Sequence, residues 1–136
     1  MIVPLISSFD LTGSIEFCGK RPAAYIAKML EQALCLVVPS HVEQAPQAIA
    51  EAMAVGVPVV ATSVGGIPDM LEDGVTGVLC PAKCDRDLAE KILLLANDRE
   101  LCVKMGRSAK SIAAVRYNPH RVALKLDAAY RRVAGY

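Results

Sequence analysis

The stretch PSHVEQAPQAIAEAMAVGVPVVATSVGGIP, residues 39–68, decides the fold of this chain. Pro46 suits the first position of a helix, because proline lacks the N–H that this position leaves unused. Gly56 is placed to end that helix, since glycine readily adopts the left-handed conformation found after helix ends. The run of residues 58–62 is short, apolar and rich in valine, which predicts a buried strand. A helix followed at once by a buried strand is typical of an α/β protein.

The flanking sequence continues this alternation of short apolar runs and longer helical segments. Strands are predicted at residues 15–18, 34–38, 58–62 and 77–80. Helices are predicted at about residues 22–32, 46–55, 85–96, 98–116 and 119–133, with a short one opened by Pro68. This order predicts an α/β fold in which helices flank a Rossmann-like parallel sheet of about four strands. The 136 residues suit one domain, residues 1–136.

Composition and charge limit the classes of function. Hydrophobic residues make up 54 % and aromatic residues 4 %, which fits helices packed on a buried sheet better than a surface that stacks bases. The net charge of +1 gives no reason to expect nucleic acid as a partner. The five cysteines, an odd number without a secretory signal, favour free thiols and a cytoplasmic location. No apolar stretch reaches the roughly 18 residues of a membrane span.

A pair of glutamates flanks the start of the helix at residues 46–55. Glu43 lies in the loop that leaves the strand at residues 34–38, where ligands of parallel sheets bind. Glu51 lies inside the helix on the same face as Gln47. Carboxylates accept hydrogen bonds from vicinal hydroxyls, and the helix N-terminus between them attracts phosphate. This order of groups matches a sugar–diphosphate–ribose ligand.

Each of these features also has an ordinary structural explanation when it is taken alone. Glu43 could be a charge–dipole contact, and Glu51 a solvated side chain. Gly65 and Gly66 could form a simple turn, or could let backbone approach a ligand. His41 could touch donor phosphate or merely fill a loop. Only the combination of all of them in one string favours a ligand site over these explanations.

Because these residues occur together in one continuous stretch, the sequence resembles the retaining glycosyltransferases of family 4, which have the GT-B fold. The family pattern is Pro-Ser, a loop with Glu, then after seven further residues a second Glu followed by Ala, a Gly, Pro-Val-Val-Ala-Thr and Gly-Gly-x-Pro. The matching residues are Pro39, Ser40, Glu43, Glu51, Ala52, Gly56, residues 58–62, Gly65, Gly66, Ile67 and Pro68. The resemblance extends over about residues 11–132.

The resemblance implies a role for each matched position. Glu43 would contact the donor's hexose near the reacting carbon, orienting it and stabilising charge, and Glu51 would hold the ribose hydroxyls. The sugar and the diphosphate would meet the backbone of Ala45, Pro46, Gln47 and Ala48. Further contacts are expected at Gly65 and Gly66, with Ser40 and His41 as additional candidates. The resemblance implies no metal and no cofactor, since the UDP- or GDP-linked sugar is itself the substrate.

The chain also departs from the family pattern. Gln44-Ala45-Pro46 replaces the common Gly-Phe-Gly, and Pro46 has no N–H to offer a ligand. The first GT-B domain has no counterpart, and neither do the first two strands of the second, whose sheet order is 3-2-1-4-5-6. We therefore predict a partial donor-binding domain that is inactive alone. Either the strand at residues 15–18 re-pairs beside the next strand, or another chain covers the open sheet edge.

Other functions stay open on the sequence alone. The chain could be a non-catalytic module that binds a nucleotide, a sugar nucleotide or a protein. It could also be one chain of a split transferase, with the missing N-terminal half as a separate polypeptide, or it could form a homo-oligomer. A receiver or flavin-binding domain is disfavoured, because no acidic pair lies near the first strand.

Overall fold

The computed structural model describes residues 3–135, so Met1, Ile2 and Tyr136 of the predicted domain lie outside the described residues. Within that range the chain forms seven helices and three strands. The helices are α1 (Val3–Ser8), α2 (Ala23–Gln32), α3 (Gln47–Val55), α4 (Ile67–Met70), α5 (Asp85–Asn97), α6 (Arg99–Arg116) and α7 (Pro119–Ala134). The strands are β1 (Leu36–Val38), β2 (Val59–Thr62) and β3 (Gly77–Cys80).

The three strands form one parallel sheet in the order β1-β2-β3. Val38 pairs with Ala61 at the end of the first ladder, and Thr62 pairs with Cys80 at the end of the second. Every residue of β2 is buried, as its unbroken apolar run predicts for a central parallel strand. The predicted α/β architecture of a parallel sheet between helices is therefore confirmed.

Alternate residues of β2 supply two cores on opposite faces of the sheet. Val59 and Ala61 pack with Ile49, Met53 and other residues on the α3 side. Val60 packs with Val78 and Leu95 on the α5 side. Helix α6 contributes to both cores, with Ala109 and Ala113 in the first and Cys102 and Met105 in the second.

The strand predicted at residues 15–18 is wrong, and the sheet has three strands rather than about four. The segment has no regular secondary structure and pairs with no strand, with Ile15 41 % and Phe17 64 % exposed. Between Cys18 and β1 lies a cavity of about 270 Å³ instead of a row of hydrogen bonds. An extended segment becomes a strand only beside a partner, and in the family order this one does not neighbour β1. The hypothesis that it re-pairs beside β1 is therefore also wrong.

Helix α3 ends at Gly56 as its sequence predicts, and it begins at Gln47, one residue after the predicted start at Pro46. Pro46 precedes it with an extended backbone, and Gly56 ends it at a φ of 94°. The N–H of Gly56 donates to the carbonyls of Ala52 and Met53, which closes the last turn. Gly106 of α6 packs so closely on the Gly56 carbonyl that a side chain there would overlap it.

The last helix, α7, packs on the rest of the chain through α6. Over its whole length, Pro119–Ala134, no residue of α7 is buried, although the helix is amphipathic. Its exposed apolar side chains include Leu124, Leu126 and Val133. None of the helices described within residues 3–135 is both long enough and apolar enough to cross a membrane.

Candidate functional site

Two loops follow β1 and β2 at the carboxyl ends of these strands, which form the carboxyl edge of the sheet, and the two loops are in contact. The loop after β1 carries Glu43 and leads to α3, and the loop after β2 carries Gly65 and Gly66. A β-carbon on Gly65 would overlap the backbone carbonyl of Glu43, and one on Gly66 would overlap that of Gln44. The glycine pair therefore makes room for the Glu43 loop itself, a neighbour that the sequence did not reveal.

Thr62, the last residue of β2, holds the beginning of the same loop. Its side chain is buried, and its Oγ1 lies 2.6 Å from the carbonyl oxygen of Ser40. The carbonyl oxygen of Val38 is more distant, at 3.4 Å. Thr62 was not among the site residues predicted from the sequence. The feature that could have indicated its role is its hydroxyl, which ends an otherwise apolar strand.

The Glu43 carboxylate is half-buried and partly satisfied within its own loop. Its Oε1 accepts a hydrogen bond of 3.0 Å from the backbone N–H of Gln44. The other oxygen, Oε2, makes no hydrogen bond to any of residues 3–135. Glu43 is thus held to its own loop through one carboxylate oxygen only.

The N-terminus of α3 lies directly after this loop and is not capped by a side chain. Pro46 occupies the N-cap position, and its carbonyl accepts the N–H of Ile49 at 3.0 Å. The N–H groups of Gln47 and Ala48 precede the first helical hydrogen bond and have no acceptor within the helix. Ala45, Gln47 and Ala48 are exposed and Pro46 is half-buried, so this end of α3 is accessible.

Glu51 lies one turn after Gln47, on the side of α3 that faces α2. It lines a cavity of about 240 Å³ together with apolar residues of both helices, among them Ile26 and Leu30. Its carboxylate makes no ion pair or hydrogen bond to the described part of the chain. The structure thus brings Glu43 together with the glycine pair but places Glu51 along α3, away from that contact. The ligand roles predicted for these residues stay predictions.

A separate cavity of about 470 Å³ opens at the carboxyl edge, on the α5 side of the sheet. Its lining residues are Pro39, His41, Thr62, Lys83, Cys84, Asp85 and Leu88. His41, a candidate from the sequence, therefore lies beside the loop after β3. Lys83 in that loop has a φ of 60°, which is uncommon for a residue other than glycine. None of the residues in this loop was among the site residues predicted from the sequence.

The cysteines are all free, and the thiol pKa is raised in three of them. Burial raises the pKa of Cys35, and the neighbouring Cys102 raises it further. Burial likewise raises the pKa of Cys80 and of Cys102. A raised pKa lowers the thiolate fraction of these three side chains at neutral pH. Within residues 3–135 no group of three metal-ligating side chains is found.

Comparison with known proteins decides the family. The family model described as "Glycosyl transferases group 1" matches residues 2–112, which is well over half of the chain. This chain belongs to the group 1 glycosyltransferases. One relative in this family is the N-acetyl-alpha-D-glucosaminyl L-malate synthase of Bacillus anthracis, 28 % identical over 129 residues. That match covers 95 % of this chain and 33 % of the synthase.

Solved glycosyltransferase structures share the fold. Sucrose-phosphate synthase from Thermosynechococcus elongatus superposes with a TM-score of 0.92 at 28 % identity, over 98 % of this chain and 34 % of the synthase. HepE of Anabaena, solved in complex with UDP-glucose, gives a TM-score of 0.84 at 26 % identity, over 93 % of this chain and 36 % of HepE. The predicted GT-B relationship is confirmed. The chain spans about a third of the length of the relatives it matches.

Proposed function

We propose that this chain is the donor-binding part of a retaining glycosyltransferase and binds a nucleoside diphosphate sugar at the start of α3. The observation that carries the proposal is the fixed Glu43 loop beside an uncapped, accessible helix N-terminus. Helix N-termini favour phosphate through unpaired N–H groups and the helix dipole. The likeness to a protein solved with UDP-glucose supports this type of ligand.

The diphosphate would lie against the N–H groups of Gln47 and Ala48, since Pro46 has none to donate. The open Oε2 of Glu43 would then face the transferred hexose. There a carboxylate can accept a sugar hydroxyl and stabilise the positive charge that develops as the glycosidic bond breaks. Glu51 would hold the ribose hydroxyls. The backbone at Ala45, Gly65 and Gly66 would complete the contacts. Ser40 and His41 are additional candidates for contact with the ligand.

Transfer to an acceptor would need the rest of a glycosyltransferase, because this chain spans about a third of its relatives. Large apolar side chains are exposed in the segment before the edge strand β1, with Phe9 71 % and Phe17 64 % exposed. Exposed apolar surface of this kind favours an interaction site when it is contiguous. This surface supports the proposal that the remaining parts of the enzyme pack here, on the same polypeptide or as a separate chain. The 136-residue chain alone would then bind the donor without transferring sugar.

A non-catalytic interaction module is the second candidate, and the exposed apolar face of α7 favours it. The two candidates differ in whether the chain binds a sugar nucleotide. A module that only binds protein would leave UDP and GDP unbound, and its apolar faces would still recruit a partner.

Titration of the purified chain with UDP, GDP and their sugar conjugates, by calorimetry or NMR, tests the donor site. We expect binding that Glu51→Ala weakens roughly ten- to a hundredfold, because a hydrogen bond to a charged group contributes about 1.5–3 kcal/mol. Glu31→Ala is the matched control, since Glu31 is exposed on α2. Absence of binding at millimolar nucleotide, or equal effects of both substitutions, would contradict the proposed site.

A further inference from the structure

The ladder between β1 and β2 ends one residue before the ladder between β2 and β3. Val38 pairs with Ala61, whereas Thr62 pairs only towards β3, with Cys80. The chain beyond β1 continues with Pro39, which has no N–H to extend the ladder. Beyond the end of the ladder, a side-chain hydrogen bond joins the two segments: the hydroxyl of Thr62 donates to the carbonyl of Ser40 at 2.6 Å.

The donor of this hydrogen bond is buried, since Thr62 is 3 % exposed, and the acceptor residue Ser40 is half-buried. A buried hydrogen bond is stronger electrostatically than an exposed one, and its loss leaves an unpaired acceptor. Ser40 lies three residues before Glu43 in the sequence. The loop after β2 contacts Glu43 and Gln44 through Gly65 and Gly66. The Glu43 loop is therefore held at its start by Thr62 at the end of β2, and at Glu43 and Gln44 by the loop that follows.

We infer that Thr62 is a positioning residue for donor binding: its buried hydroxyl holds Ser40, and through it the Glu43 loop, in the arrangement that admits the nucleotide sugar. The inference rests on the proposed function. Without the hydroxyl, the loop samples other arrangements. The apparent affinity then falls in proportion to the fraction that remains competent to bind.

The test compares two buried threonines in the 136-residue chain, with UDP as the probe. Thr62→Val removes the hydroxyl at nearly constant volume, and Thr62→Ser retains it. Thr76→Val is the matched control, because Thr76 is 0 % exposed and its Oγ1 accepts the Glu72 N–H in another turn at 2.9 Å. The readouts are UDP affinity, and the chemical shifts and hydrogen exchange of the amides at residues 40–44.

We expect Thr62→Val to weaken UDP binding about five- to tenfold and to speed exchange at residues 40–44. Thr62→Ser should restore both, and Thr76→Val should leave both unchanged. Wild-type affinity in folded Thr62→Val, or an equal loss in Thr76→Val, overturns the inference. If Thr62→Val does not fold, Thr62→Cys supplies a weaker donor, and unchanged affinity there overturns it equally. If the wild-type chain binds no UDP, the proposed function fails, while the exchange data still report on the contact between Thr62 and Ser40.

Discussion

Gly65 lies against the backbone carbonyl of Glu43 with no room for a side chain between them. Its φ of 53° is also left-handed, so both the conformation and the space favour glycine. The contact joins the loops that leave β1 and β2, which belong to neighbouring strands. The Gly65-Gly66 turn therefore contacts a loop that is distant in sequence, and it restricts the position of the candidate catalytic residue Glu43.

We predict that Gly65→Ala displaces the Glu43 loop and abolishes measurable UDP binding. Gly74→Ala is the control, because Gly74 has a similar φ of 75° but nothing within 4 Å of its added β-carbon. In Gly74→Ala the unfolding free energy should fall by only about 1–2 kcal/mol, which is the cost of placing alanine in the left-handed conformation. Urea unfolding and UDP titration of both variants separate the two effects. Retained UDP binding in Gly65→Ala would show that the contact does not position the site.

Parts of the fold that local chemistry decides could be predicted from the sequence. Pro46 and Gly56 predicted the limits of α3 to within one residue, because a missing N–H and a left-handed backbone are properties of single residues. The strand predicted at residues 15–18 was wrong, since a strand depends on a partner that the pattern does not contain. The contact of Thr62 with Ser40 could not be predicted, because that hydrogen bond joins the end of β2 to the loop after β1. Glu43 was found from its place beyond a strand and before a helix.

Close packing of α3 on α6 should depend on Gly106. A β-carbon on this residue would overlap the carbonyl of Gly56, where α3 ends. We expect Gly106→Ala to lower the unfolding free energy by about 1–3 kcal/mol, as overpacking of a tight contact usually does. Gly13→Ala is the control, since it has open space around its added β-carbon. Urea unfolding of both variants measures the difference, and equal stability would contradict the tight α3–α6 contact.

Arg116, the last residue of α6, caps the C-terminal end of the short helix α4. Its guanidinium donates to the carbonyls of Asp69 at 2.9 Å and Met70 at 3.0 Å. We predict that Arg116→Met lowers the unfolding free energy by about 1 kcal/mol, because the bonds to a charged donor are lost at a solvent-exposed site. Arg107→Met removes an exposed charge from the same helix and should change little. Thermal unfolding at low salt compares the two, and matching midpoints would contradict a capping role for Arg116.

The buried thiols should make the chain less stable in alkali. Burial raises the pKa of Cys35, Cys80 and Cys102 in the folded state. As the pH rises past the ordinary thiol pKa of about 8.5, the unfolded chain releases these protons first. The unfolded chain then binds fewer protons than the folded chain, and stability decreases with pH. Below that pH the contribution of the three thiols is fully present.

Cys35 offers the cleanest measurement of this effect, because it is only half-buried and tolerates replacement better than a fully buried residue. We expect the unfolding free energy to fall between pH 7 and pH 9.5, and to fall less in Cys35→Ala. Lysine and tyrosine titration contributes equally to both proteins, so the difference between them isolates the thiol. Iodoacetamide should also modify Cys35 more slowly in the native chain than in urea, since alkylation requires the thiolate. An identical pH dependence in the two proteins would show that burial does not shift the ionisation of this thiol.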